Sequence, residues 1–187
     1  MQRRELLKMI AVITGSAVVG GDLLLSGCKH KEENFFTDED IAFFDEVAET
    51  IIPRTNTPGA KDAATGNFMA VYAADCYDES NRKIFKDGIS KLNEASRKKN
   101  DKGFMKLSQV QKQELLIEID KDAFEYTKQN ERDGNKKPAH YFTLMKQLAL
   151  WGFFTSKPGV TQVLRYVPVP GKYEGCINYK KGETSWA

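Results

Sequence analysis

Tyr141-Phe-Thr-Leu-Met-Lys-Gln-Leu-Ala-Leu-Trp-Gly-Phe-Phe154 is the stretch on which the fold turns. Wound at 3.6 residues per turn, its apolar side chains go nearly all the way round. A helix with so little polar face sits at the centre of a bundle or between two proteins. His140 or Ala139 starts it, and Pro158 lies beyond its end.

Going outward towards the C-terminus, the chain reads Trp151-Gly-Phe-Phe-Thr-Ser-Lys-Pro-Gly-Val-Thr-Gln-Val-Leu-Arg-Tyr-Val-Pro-Val-Pro-Gly-Lys-Tyr-Glu-Gly-Cys176. A short helical turn is allowed through Leu164, after which Pro168 and Pro170 force the backbone into an extended path poor in ladder hydrogen bonds. An extended tail rich in Tyr and Val has to cover an apolar surface, either its own domain's or a partner's. The segment Arg165, Tyr166, Val167, Pro168, Val169 and Pro170 is the candidate for partner contact, while the end at Cys176 is expected to be the domain's own cover.

Going outward towards the N-terminus, four more helical patterns appear. Ser108 and Gln111 form a capping box opening a helix to about Gln129, with Val110, Leu115, Ile117, Ile119, Ala123 and Phe124 as its apolar side. Asp78 caps a helix running to about Lys99, with Ile84, Phe85, Gly88, Ile89 and Leu92 inward. A helix from Ala60 or Asp62 to Cys76 carries Phe68, Val71 and Tyr72 on one face and is weakened early by Gly66. Thr37 caps the first, with Asp38, Glu39 and Asp40 suiting the dipole and Phe36 placed to staple the first turn. Its core face is Ile41, Phe44, Val47, Ala48, Ile51 and Ile52, and Pro53 stops it. Residues 53–59 form a turn-rich loop. The expectation is an all-α protein, a single small helical bundle with an extended, Pro/Gly-rich C-terminal tail.

Composition agrees with one ordinary domain: 187 residues, 41% hydrophobic and 29% charged. The 28 basic residues are interspersed among 26 acidic ones, so no field recommends nucleic acid as a partner, and the cluster at 97–102 reads as a solvated helix end.

The first 27 residues read as an address rather than as fold. Arg3-Arg4-Glu-Leu-Leu-Lys8 precedes a run of apolar and small residues, then Leu25-Ser-Gly-Cys28. The paired Arg3 and Arg4 resemble a twin-arginine export signal, which carries proteins out already folded. Leu-Ser-Gly-Cys resembles a lipobox, in which Cys28 becomes the first mature residue and bears lipid. A retained membrane helix is the competing reading, although 9–25 contains Gly15, Gly20, Gly21 and Asp22 and is short for a span. Cleavage leaves 160 residues with a net charge of +1, since the leader removes three basic and two acidic residues. Residues 28–34 then form a polar tether, and 35–187 the helical domain. The location expected is an exported, periplasm-facing lipoprotein on the inner or outer membrane.

There is no GxGxxG, phosphate-binding loop or GxSxG. His30 lies in the tether and His140 at a helix start, which suits a cap, and Asp75 beside Cys76 lacks a base and an oxyanion device. No cofactor, metal ligand or catalytic residue is assigned to this chain. With Cys28 lipidated, an oxidising compartment leaves Cys76 and Cys176 as an even pair for a disulfide, worth about 4.7 kcal/mol for a loop of roughly 100 residues; two separate thiols is the other reading.

Four stretches together carry a resemblance: Glu49-Thr-Ile-Ile-Pro-Arg-Thr-Asn-Thr-Pro-Gly-Ala-Lys61, Ala74-Asp-Cys-Tyr77, Gly152-Phe-Phe-Thr-Ser156 and Leu164-Arg-Tyr-Val-Pro-Val-Pro-Gly-Lys-Tyr-Glu-Gly-Cys176. Over most of 36–187 the chain resembles the small subunit of gluconate 2-dehydrogenases, the subunit 3 family. That resemblance implies a cofactor-free accessory chain accompanying a large FAD-dependent dehydrogenase of the glucose-methanol-choline type, often with a cytochrome as electron acceptor. It also implies that Arg3 and Arg4 supply export for a flavoprotein lacking its own signal. Cys28 adds a membrane tether that the pattern does not require. The rival expectation is a stand-alone periplasmic structural or binding lipoprotein whose tail folds back on its own bundle; an enzyme in its own right, working through Asp75, Tyr77 or His140, is the third.

Overall fold

The computed structural model describes residues 35–169, 171–172, 175–178 and 180–186. Arg3, Arg4, the leader, Cys28, the tether and Pro170 lie outside the described residues.

Helix α1, Asp38–Ile51, begins in a reciprocal capping box: the Asp40 N–H donates to Thr37 Oγ1 at 3.2 Å and the Thr37 N–H to Asp40 Oδ2 at 2.9 Å. Phe36, just before the cap, is buried in the core, edge-on to Phe44 at 5.3 Å and to Phe85 at 5.8 Å. The buried face is wider than the expected stripe. Phe43 and Thr50 are buried with Phe44, Val47 and Ala48, while Ile41, Ile51 and Ile52 are half-buried, because α1 is flanked by partners on more than one side.

The second helix starts later than its pattern indicates. A 3₁₀ turn at Lys61–Ala63 comes first, Ala64 turns left-handed with φ of 50°, and helix α2 runs Thr65–Asp75. Gly66 is also a contact: its N–H donates to Asp45 Oδ1 at 2.7 Å, and a Cβ there would come within 2.5 Å of the Asp45 backbone nitrogen. Val71, read on one face with Phe68 and Tyr72, is exposed where they are half-buried.

Helix α3, Glu79–Asn100, is capped by Asp78, which accepts from the Asn81 N–H at 2.7 Å, and buries Phe85, Gly88, Leu92 and Ser96. Helix α4, Gln109–Arg132, opens with the expected Ser108 and Gln111 box. Three of its six apolar assignments are corrected: Val110, Ile117 and Phe124 are 62, 56 and 64% exposed. These three repeat every seven residues, so they share one side of the helix, whereas the core takes Leu115, Leu116, Ile119 and Ala123.

Helix α5, Tyr141–Thr155, packs against α1, α2, α3 and α4 and is the centre of the bundle. Eight of its residues are buried, among them Phe142, Met145, Leu148 and Phe153. It is not covered all round: Gln147, Leu150, Trp151 and Phe154 line its outer side. Beyond it, residues Gly159–Val163 form a π turn anchored by Ser156, whose Oγ donates to the Phe153 carbonyl and accepts from the Gly159 N–H. The described residues are helical with no strand, and none of their helices is long and apolar enough to cross a membrane.

Candidate interaction surface

The tail leaves the bundle after the π turn and closes on itself. The Arg165 N–H donates to the Ser185 carbonyl at 2.8 Å in a lone parallel bridge between Arg165 and Trp186, and the Arg165 guanidinium lies 4.7 Å from the Trp186 ring centroid. Every described residue from Tyr166 to Trp186 is exposed, including Tyr166, Val167, Val169, Ile177 and Trp186, with Val169 at 81%. Cys76 and Cys176 are free, exposed thiols; no disulfide joins them here. Trp186 brings the described end of the tail back to Arg165, where the tail begins.

The loop at 53–59 is tied in detail by carboxylates. Glu49 accepts from the N–H groups of Arg54 at 2.9 Å and Lys61 at 2.8 Å. Asp62 accepts from the Gly59 N–H at 2.9 Å and from Arg54 Nη1 at 3.1 Å. Glu46 pairs with Lys61 and, at 2.7 Å, with Lys112 of α4. Burial pushes the Glu46 carboxyl up, but hydrogen bonds and charge from the two lysines outweigh this and hold it below its ordinary value. The loop and the π turn border one small polar hollow lined by Arg54, Thr57, Asp62, Pro158 and Gln162.

A third feature was not anticipated. Tyr72 stacks on Phe68 and meets Trp151 edge-on at 4.8 Å, so α2 and α5 present an aromatic ledge with Val71 beside it. Gly152 allows it, because a Cβ there would come 2.5 Å from the Phe68 ring. Next to the ledge on the same outer face of α5, Leu150 joins Phe124 in lining an open groove of about 670 Å³ between α4 and α5. The signal in the sequence was the apolar character of α5 continuing beyond what one core needs.

The residues weighed for chemistry stand apart. His140 is the cap of α5, its Nδ1 accepting from the Phe142 N–H at 3.3 Å; burial, with Lys91 nearby, lowers its pKa against a smaller opposing effect of Asp122. Tyr77 is pushed up to about 12 by burial and by Tyr72, so it stays a phenol. Asp75 and Cys76 are exposed at the end of α2. Among the described residues no group of three or more His, Cys, Asp or Glu side chains is placed to hold a metal.

A family model described as gluconate 2-dehydrogenase subunit 3 matches residues 38–171. The chain belongs to that family. The gluconate 2-dehydrogenase subunit 3 match runs from the first turn of α1 to the glycine after the Val-Pro-Val-Pro segment, so it takes in the whole bundle, the tied loop and the start of the tail. Cys176 and Trp186 lie beyond it. No curated protein and no solved structure matches.

Proposed function

We propose that this chain is the non-catalytic small subunit of an exported FAD-dependent sugar dehydrogenase complex of the glucose-methanol-choline type. It escorts the flavoprotein through twin-arginine export by Arg3 and Arg4, stabilises it, and tethers it to a membrane through lipid on Cys28. The carrying observation is the segment from Arg165 to Val169: it lies inside the family match, yet it is extended and unpacked against its own bundle. Apolar residues held out in a closed loop are a contact surface for another chain. The alternative, a stand-alone periplasmic structural or binding lipoprotein, requires a tail folded back on its own bundle, and the described tail residues from Tyr166 on are exposed instead.

The test is co-expression of the full chain with the flavoprotein encoded beside it. The membrane-extracted chain is expected to carry stoichiometric flavoprotein, recognised by flavin absorbance, and Cys28 to carry lipid by mass spectrometry. Deleting the chain is expected to leave the dehydrogenase in the cytoplasm. A chain that brings down no flavoprotein, together with unchanged export in the deletion strain, defeats the proposal.

A further inference from the structure

The outer side of α5 presents Gln147, Leu150, Trp151 and Phe154, spaced as neighbours on one helical face, with no charged side chain among them. Trp151 is half exposed although Tyr72 and Phe68 support it, and Val71 and Phe124 extend the apolar character onto α2 and α4. We propose that this ridge, centred on Trp151, is the second docking surface for the dehydrogenase subunit, with the indole as its anchor. The inference rests on the reading above that such a partner exists.

Three observations favour that occupant. The ridge is continuous with the tail: Phe154 lies in the last turn of α5, and the π turn from which the tail emerges packs on the same helix. Its chemistry is that of a subunit interface core, uncharged and aromatic, with a polar rim. The rim carries Asp75, Lys121 and Glu125, a mixture of signs. A helix lying on an anionic lipid surface carries a basic flank instead. Trp151 is also held from one side, because Gly152 lets the Phe68 ring close against α5 and both Phe68 and Tyr72 meet the indole. A pre-positioned aromatic loses little freedom when it is buried by a partner.

The experiment compares the wild-type full chain with the double variant Trp151→Asp, Phe154→Asp, both co-expressed with the dehydrogenase subunit and then titrated against it. Affinity is expected to fall at least about 30-fold, the loss of one strong aromatic anchor, with helical content by circular dichroism unchanged. Hydrogen exchange on the wild-type complex, which needs no variant, is expected to show protection at 147–155 and 68–76 as well as in the tail. Protection confined to the tail overturns the proposal. So does unchanged affinity of the folded variant, whether or not it has lost self-association or binding to vesicles of phosphatidylglycerol and phosphatidylcholine. If the wild-type chain binds no dehydrogenase subunit, the functional reading itself has failed and this inference falls with it, a result separable from a wild type that binds and a variant that binds equally well.

Discussion

The loop at 53–59 and the tail from Arg165 to Val169 look alike as sequence: both are short, rich in proline and valine or threonine, and without period. Their fates differ. The loop is fastened at Arg54, Gly59 and Lys61 by carboxylates of Glu49 and Asp62, whereas the tail rests on one backbone rung to Ser185 and an Arg165 contact with Trp186. What separates them is the neighbouring helix. α1 directs three acidic side chains at the chain that follows it: Asp45 and Glu49 accept from backbone N–H groups that a turn cannot pair internally, and Glu46 takes the Lys61 ammonium. Among the described residues no helix does this for 165–169. One aperiodic segment thereby becomes part of the domain and the other becomes available to something else.

The comparison predicts a hierarchy of losses. The largest belongs to the bundle: Phe44→Ala removes a fully buried ring that touches Phe36 and Phe85 and is expected to cost about 3–5 kcal/mol in chemical denaturation. A small effect there would show that the bundle is not what holds the molecule. Next comes Glu49→Ala, which orphans two N–H groups and is expected to cost about 1–3 kcal/mol, with faster hydrogen exchange at Arg54 and Lys61. If exchange at 53–61 already matches that of the tail in the wild type, the contrast drawn here collapses.

A pH series sharpens the same point. Lys112 and Lys61 hold the Glu46 carboxyl below its ordinary 4.5, so the folded chain binds this proton less readily than the unfolded one. The stability from this group is complete above 4.5 and drains away as pH falls through the lower folded value. Glu46→Gln is expected to flatten that acid limb of the melting-temperature profile, at a cost near neutral pH of about 1–2 kcal/mol. An acid limb identical in wild type and variant would assign the titration to other carboxylates. The smallest effect belongs to the tail. Tyr166→Asp with Val169→Asp is expected to shift stability by no more than about 0.5 kcal/mol while releasing the dehydrogenase subunit. A large loss of stability would mean that the tail does serve the bundle after all.

The helices were legible because their caps are local: Thr37, Asp78 and Ser108 each accept from an N–H only three residues on, and that spacing is written in the chain. The core was legible less completely. On α4 the apolar residues at 110, 117 and 124 fit the period of a buried face yet stand in solvent, because periodicity shows that a face exists without showing what meets it. The contact made by Gly66 was hidden for a related reason. Helix propensity counts what glycine lacks, and the approach of Asp45, twenty-one positions earlier, is not written locally. At the candidate surface, the tail segment was visible from Pro168 and Pro170. The ledge around Trp151 was not, since it needs Tyr72 and Gly152 brought together by the packing of α2 on α5.

The contact between Arg165 and Trp186 also decides where a probe will report from. Because Ser185 is returned to the residue at which the tail departs, a dye on Ser185 sits at the root of the loop and moves with the bundle, while one on Val169 rides out along the loop. Energy transfer from each to a common acceptor on the bundle would then separate docking of the tail from reorientation of the whole subunit.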